Sequence, residues 1–260
     1  MLALILWSWL APGLAAQAPD PMALVQLGAP ATNKPWTSLD YERARFVLEE
    51  LPLDQLPRLD HPHLQRWLSL DNRPNNADPG VMLGEVTMLM EHNRALAQRY
   101  AEAGQAGMPV GAEQLALSAL TLRQMGWLWE SLDVLLNSAP PDSPSRAAAV
   151  ARARSGTANA LAAHLSMLAA QHSLPEATLL AAITELSAVY APLQDRLDLS
   201  QRAALQVYAE TQAAALPEGQ ARQSLLRAVA PKMAAPLPPP TPTPAPPPAA
   251  EPVEEGRRRR

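Results

Sequence analysis

The chain has 260 residues, a formal net charge of −4 and a sequence pI of about 5.8. This charge does not predict a nucleic-acid-binding surface. There is no cysteine, which excludes disulfides, cysteine nucleophiles, thiolate metal sites and covalently attached c-type haem. Alanine and leucine dominate, whereas β-branched and aromatic residues are few. The composition therefore predicts an all-α fold.

An apolar run, Leu2–Ala16, opens the chain and is followed by small residues. Its length and composition predict a secretory signal peptide over residues 1–18, with too few apolar residues for a comfortable transmembrane helix. No lysine or arginine precedes the run, so an uncleaved anchor is the alternative. The predicted localisation is periplasmic or secreted. Residues 19–35 carry Pro, Gly and Asn without periodicity and are predicted to form an extended lead-in.

Residues 36–77 are predicted to form two short helices that pack as a collar or lid on the rest of the fold. Thr37 or Ser38 is placed to cap the first helix, and Asp60 is placed to cap the second. Prolines between them break the chain. The first helix is expected to bury Leu39, Phe46, Val47 and Leu51, and the second to bury Leu64, Trp67 and Leu68.

Residues 78–230 are predicted to form a mostly antiparallel bundle of about four long helices with short flanking helices. In the first run, Asp78–Glu102, Asp78 is the expected N-cap, with Pro79 at the first helical position. Mostly apolar residues recur there at steps of four and three residues, the spacing of one helix face pressed against other helices. These positions are Met82, Val86, Leu89, Asn93, Leu96 and Tyr100.

The second run, Ala112–Asn137, is apolar on two faces, which predicts a central helix buried between several neighbours. One face carries Leu115, Leu122, Trp129, Leu132 and Leu136, and the other Leu117, Leu120, Leu128 and Leu135. A third run spans Ser145–His172. Ser173–Glu176 has the form of a capping box that starts the fourth run.

Three further features organise the C-terminal part. Pro192 lies inside the heptad pattern of the fourth run and predicts a kink or break near Tyr190. Asp198 is placed to restart a helix, and a last helix is expected to reach about Ala230. Residues 231–260 are dense in proline and predict a disordered, extended tail that ends in arginines. The tail arginines Arg257, Arg258, Arg259 and Arg260 suit contact with an anionic surface.

Two sets of residues suggest a transition-metal site. His61 and His63 flank a proline and place two imidazoles near each other. Glu85, Met88 and His92 share one broad helix face and combine carboxylate, thioether and imidazole ligands. The alternatives are ordinary helix-start residues for the first set and gap-filling core for the second. No cofactor is otherwise predicted.

Polar residues on the apolar seams suggest a pocket between the helices. Asn93, Arg154 and His172 fall on these seams, and a buried arginine there would require an acidic partner such as Glu85, Glu130 or Glu185. The functional interpretation is a polar site for an anionic ligand. The structural interpretation is that these residues fix helix register, or that the rotation of the helices leaves them at the boundary of the core.

Trp127 and Trp129 are two residues apart on a helix and point in different directions. They are either both buried, which requires partners on two sides, or one is exposed and available as an anchor for a binding partner. Arg123 lies one turn before Trp127 and is placed to stack on its ring.

Common catalytic motifs are missing from the sequence, so an enzyme is not expected. The leading hypothesis is an exported, non-catalytic helical-bundle protein of the cell envelope that has an interaction or scaffold role. Its predicted partner is a protein or envelope component. The alternative is a periplasmic binding protein for a metal or small ligand inside the bundle.

Overall fold

The computed structural model describes residues 35–138 and 144–230, and this part of the chain is all-α, without a β-strand. Two 3₁₀ turns, Leu53–Gln55 and Leu70–Asn72, interrupt its N-terminal third. The helices are α1 Ser38–Glu50, α2 Pro62–Trp67, α3 Pro79–Gln105, α4 Gly111–Ser138, α5 Pro144–Ala170, α6 Glu176–Gln194, α7 Leu199–Ala215 and α8 Gln220–Val229. The predicted fold class is confirmed. The predicted signal peptide, most of the predicted lead-in and the predicted tail lie outside the described residues.

Side-chain hydrogen bonds between the long helices show that α3 and α5 both run antiparallel to α4. Gln114 near the start of α4 contacts Tyr100 near the end of α3, while Thr121 further along α4 contacts Asn93. In the same way, Gln114 bonds Gln171 just beyond α5, whereas Trp129 bonds Thr157 earlier in that helix. Short connections between long helices favour this arrangement.

The central position predicted for the second long run is confirmed, because α4 contributes to two separate hydrophobic clusters. Its Leu115, Leu122 and Trp129 face a C-terminal cluster with α5, α6, α7 and α8. Its Leu117 and Trp127 face an N-terminal cluster with α1, α2 and α3. A helix that is apolar over most of its circumference can be buried on two sides in this way.

The N-terminal cluster is closed by three aromatic rings in edge-to-face contact. Tyr41 lies 4.7 Å from Trp67 and 5.4 Å from Trp36 between ring centroids. The Tyr41 hydroxyl donates to the Trp67 carbonyl over 2.8 Å, and the buried Asn72 amide donates to that hydroxyl. Burial raises the pKa of Tyr41. The short N-terminal helices therefore share one core with α3 and α4.

The predicted buried face of the first short helix is partly wrong. Thr37 caps α1 in a capping box with Asp40, as the sequence indicates. However, Phe46 is 67% exposed and Leu39 is 50% exposed. The aromatic contacts of Tyr41 turn a different face inward, and the helix buries Tyr41, Ala44, Leu48 and the flanking Leu51.

Helix caps follow the sequence in some places and depart from it in others. The Asp78 carboxylate accepts from the amides of Gly80 and Val81, as predicted, and Asp198 forms a capping box with Gln201. The cap of α2 is His61 and not Asp60.

Pro192 does not break the fourth run where predicted. Helix α6 continues past Tyr190 and ends at Gln194, two residues after the proline. A proline removes one hydrogen bond to the preceding turn, and here that loss falls within the last turn, where the helix is ending anyway.

The capping box predicted for Ser173–Glu176 is wrong, because Glu176 caps a different helix. The N-cap of α6 is Pro175, which has no side-chain cap. The Glu176 carboxylate instead accepts from the backbone amides of Gln220 at 2.9 Å and Ala221 at 3.3 Å, at the start of α8. This contact joins residues 44 positions apart in the chain.

Replacing Glu176 by alanine is expected to lower the free energy of unfolding by about 1 kcal/mol, because two amides at the start of α8 lose their acceptor. Glu176→Gln should retain most of that stability, since its amide oxygen can still accept. Denaturant unfolding followed by circular dichroism measures the difference. Glu218→Ala, next to the same helix start, is the matched control. Equal losses in the Glu176→Ala and Glu218→Ala variants would contradict the assignment.

Within the described ranges, no helix combines the length and apolar character required to span a membrane.

Candidate functional site

A large concave feature of the described residues is an open groove of about 1180 Å³ between α3 and α5, with α4 beneath it. Both outer helices pack against α4, which leaves a channel above it. Its residues on α4 extend from Gly111 to Leu128, which corresponds to about 26 Å along a helix. This is longer than a compact small-molecule pocket requires.

The walls of the groove are built mainly from small and flexible side chains. Ala97, Ala101 and Gly104 line it from α3, and alanines line it from α5. Met90, Met108 and Met167 supply polarizable side chains that adapt to different shapes. The charged side chains on its lining are Glu91 and Arg94, both exposed on α3. The α5 contribution comes from Ala160, Ala163, Ser166, Met167 and Ala170.

The floor of the groove carries a row of polar side chains from α4. Gln114, Ser118 and Thr121 follow one another at steps of four and three residues, so they lie on one face. Each is hydrogen-bonded to a side chain from a neighbouring helix or its C-terminal turn. The pairs are Gln114–Gln171 at 2.9 Å, Ser118–His164 at 3.0 Å and Thr121–Asn93 at 2.9 Å. We call these three pairs the polar ladder.

Glycine at two positions makes room for the Gln114–Gln171 pair, which we call the first rung of the polar ladder. A Cβ at Gly104 would lie 2.8 Å from the Gln114 amide nitrogen, and a Cβ at Gly111 would collide with the Gln171 amide. The Gln114 amide also donates to the Tyr100 carbonyl over 2.9 Å. The rung thus fixes the α3–α4 turn to the end of α5.

Asn93 links the ladder to the N-terminal aromatic cluster. Its side chain is fully buried and donates to the Leu117 carbonyl at 3.0 Å and to Thr121. Its amide oxygen accepts from the indole nitrogen of Trp67 at 3.2 Å. The prediction of a buried polar group on this seam is confirmed. Its bonds to two elements fix their register, which supports the structural interpretation of the seam.

His164 forms the middle rung and was not identified from the sequence. It is fully buried, and its Nδ1 lies 3.0 Å from the Ser118 hydroxyl, while its Nε2 has no hydrogen-bond partner within the described ranges. Burial lowers the pKa of His164 to about 4. Its position among Leu161, Leu165 and Leu168, apolar residues that recur at steps of four and three, was the signal available in the sequence.

The Ser118–His164 contact resembles a nucleophile and base, but its electrostatics do not activate the serine. An effective general base has a pKa near the working pH, whereas burial keeps this imidazole neutral and weakly basic. An imidazolium formed here would also be buried with no partner on Nε2. The pair acts as a structural rung.

The residues of the predicted metal site on α3 differ in exposure. Glu85 is half-buried, Met88 is 43% exposed and His92 is 8% exposed. Burial, and next the positive charge of Arg45 on α1, lower the pKa of His92.

His61 and His63 stack with their ring centroids 5.3 Å apart, and His61 Nδ1 accepts from the His63 amide as the α2 cap. Across residues 35–138 and 144–230, no group of three or more His, Cys, Asp or Glu side chains could hold a metal ion. The metal sites stay predictions.

Trp127 and Trp129 are both buried, at 8% and 4% exposed, so neither is available as a surface anchor. Trp127 belongs to the N-terminal cluster and Trp129 to the C-terminal cluster. Arg123, expected near Trp127, forms an ion pair with Glu185 instead. The guanidinium of Arg196 lies 5.4 Å from the centroid of the Trp129 ring.

The other seam residues have different partners from those expected. Arg154 is half-buried and donates from Nε to the Arg196 carbonyl over 3.0 Å. His172 is exposed just beyond α5. Glu113, which the sequence analysis did not identify, is 2% exposed; it pairs with Arg58 at 3.1 Å and accepts from the Leu59 amide.

The chain matches no protein-family model, no curated protein and no solved structure. Its function is therefore argued from its own residues.

Proposed function

We propose that the protein is an exported, non-catalytic interaction module that receives an α-helix of a partner protein in the groove between α3, α4 and α5. The observation that carries this proposal is the groove itself, about 26 Å long, open to solvent and walled by small side chains. Small residues permit close approach of helix backbones. An amphipathic helix laid into an apolar groove is a recurring mode of peptide recognition.

The electrostatics of the groove favour a mostly apolar ligand. Its charged lining is limited to Glu91 and Arg94, which have opposite signs and lie on the rim. The polar ladder on the floor uses hydrogen-bonding groups of α4 within the protein, so a bound helix is not required to satisfy them. Methionines at both walls and at the α3–α4 turn suit a surface that adapts to a partner helix.

Export is proposed from the apolar run Leu2–Ala16 and from the lack of cysteine, which fits an oxidising compartment. The partner is then a protein of the cell envelope or of the extracellular space. The proline-rich tail and its terminal arginines would add reach and attraction to anionic surfaces.

Filling the groove is expected to abolish partner binding without unfolding the protein. A photo-crosslinking residue at Ala97 should capture a partner in envelope fractions, and the captured segment is then identified and synthesised as a peptide. That peptide should gain helical circular dichroism on binding. Ala163→Trp, which places a large side chain in the channel, should weaken its binding at least about tenfold.

Matched controls distinguish binding in the groove from binding elsewhere on the protein surface. A crosslinker at exposed Val207 on α7 should not capture the same segment, and Val207→Trp should leave peptide binding unchanged. Capture that is equal at Ala97 and Val207, or peptide binding that survives Ala163→Trp in a folded protein, would refute the proposal.

A further inference from the structure

We infer that the partner helix lies antiparallel to α3 and α5, with its N-terminus at the α3–α4 turn, and that it carries an acidic residue followed three or four positions later by a basic one. This inference rests on the proposed function, because it concerns the helix that the groove receives. It adds the direction of that helix and the order of its charges, which together define a class of partner sequence.

The two walls of the groove run in the same direction, opposite to its floor. Gln114 near the start of α4 bonds the Tyr100 carbonyl near the end of α3 and the Gln171 side chain just beyond α5. Further along α4, Ser118 bonds His164, which lies earlier in α5. A helix above α4 would therefore have two parallel neighbours, α3 and α5. Because neighbouring helices in up-and-down bundles are antiparallel, that helix would run opposite to both walls.

The C-terminal ends of both wall helices lie at the same end of the groove. Gln105 ends α3 and Ala170 ends α5, and both residues line the groove. Neither helix has a basic residue in its last turn, so the partial negative charge of these two ends is not offset by their own side chains. Since the N-terminus of a helix carries a partial positive charge, this end of the groove favours the N-terminus of the partner.

The two charged residues of the groove lining stand in a fixed order along α3. Arg94 lies nearer than Glu91 to the C-terminal end of the helix, and both are exposed. Neither belongs to an ion pair within residues 35–138 and 144–230. An antiparallel partner passes Arg94 first and Glu91 second, so complementary charges require an acidic residue and then a basic one. A parallel partner would require the reverse order.

The same order of charges stabilises the partner helix itself. An acidic residue four positions before a basic one is the favourable arrangement for an ion pair within a helix. The α5 side of the lining carries alanine, serine and methionine, which suits apolar side chains on the rest of the bound face. A groove of about 26 Å accommodates about 17 helical residues. The inferred ligand class is thus an amphipathic helix of this length, with one acidic–basic pair on the flank that meets α3.

Photo-crosslinking from the two ends of the groove measures the direction of the bound helix. In the full-length chain, a photo-crosslinking residue replaces either Gln105, at the α3–α4 turn, or Thr87, at the opposite end; both positions are exposed and line the groove. After capture from envelope fractions, mass spectrometry locates the crosslinked residue in the partner segment. The Gln105 position should capture the N-terminal part of the segment and the Thr87 position its C-terminal part, about five helical turns apart. The reverse order, or capture of both parts from each position, would overturn the inference.

Exchange of the two charges on α3 tests their order in the partner. The double variant Glu91→Arg with Arg94→Glu keeps the net charge and should bind the captured peptide about fivefold more weakly, because two attractive contacts become repulsive. A peptide with its acidic and basic residues exchanged should restore binding to this variant. The matched control, Glu210→Arg with Arg227→Glu, makes the same exchange at exposed positions of α7 and α8 and should leave binding unchanged. Equal weakening in both double variants, or no restoration by the exchanged peptide, would contradict the inferred order.

The captured segment also distinguishes failure of the inference from failure of the proposed function. A segment that binds in the groove but has no acidic residue three or four positions before a basic one overturns the inference alone. If Gln105, Thr87 and Ala97 all capture nothing, the proposed function fails and the inference fails with it. A segment that belongs to a second copy of this chain overturns both, because the groove would then join identical chains.

Discussion

Replacement of Trp129 by alanine is expected to lower the free energy of unfolding by about 3–5 kcal/mol. Trp129 is 4% exposed and lies in the C-terminal cluster with Leu161 and Leu165 of α5. Removing the ring leaves a large cavity that a close-packed core fills only in part. The loss also removes a 2.8 Å hydrogen bond from the indole nitrogen to the Thr157 hydroxyl.

Two variants resolve the origin of this loss. Trp129→Phe keeps an aromatic ring but not the bond to Thr157, and should give an intermediate loss. Phe46→Ala removes an aromatic ring that is 67% exposed and should change stability by about 0.5 kcal/mol or less. Urea unfolding followed by far-UV circular dichroism compares the three variants. A loss for Trp129→Ala no larger than that for Phe46→Ala would show that Trp129 is not a core residue.

The protein is expected to lose stability as the pH falls from about 6.5 to about 4, and His164 is expected to account for much of that loss. Burial lowers the pKa of His164 from 6.5 to about 4 in the folded protein. Across this window the unfolded chain binds a proton at His164 that the folded protein does not bind. Stability therefore rises with pH through the window, and it falls on acidification.

The size of this loss of stability follows from the shift in the pKa of His164. At about 1.4 kcal/mol per pKa unit, a shift from 6.5 to about 4 corresponds to roughly 3 kcal/mol, all of it lost below pH 4. The physical reason is that a charged imidazole would be buried with Nε2 unpaired.

Comparison of pH profiles isolates the contribution of His164. The free energy of unfolding, measured at several pH values between 4 and 7, should depend less steeply on pH in His164→Gln than in the unmodified protein. Ala163→Gln, one residue away, should keep the original slope. An NMR titration of the His164 ring should give a midpoint near pH 4. A midpoint near 6.5, or equal slopes in both variants, would rule out a buried neutral histidine at this position.

Much of the fold could be predicted from the sequence because its signals are local. The heptad spacing of Val86, Leu89, Leu96 and Tyr100 defined a buried face that the structure bears out. Asp78 with Pro79 marked the start of α3, since a capping side chain acts on amides two or three residues away. The two apolar faces of α4 could also be identified from the sequence, and they predicted its central position.

The sequence was less informative wherever a residue's partner is distant in the chain. Glu176 resembled a local cap but serves α8, 44 residues away. Glu113 lies in the first turn of α4, where an acidic residue is usually solvated, and Arg58 from a distant loop allows its burial. Such pairings are set by how the helices pack, which helix periodicity does not encode.

The candidate groove, too, could be predicted from the sequence only in part. The sequence by itself determined that Asn93 would be a polar residue on a buried seam. Only the tertiary structure decided that α3 and α5 both pack on α4 and leave a groove between them. Periodicity specifies which face of each helix is apolar, but a groove is the space that three helices leave unfilled, and that depends on their relative positions.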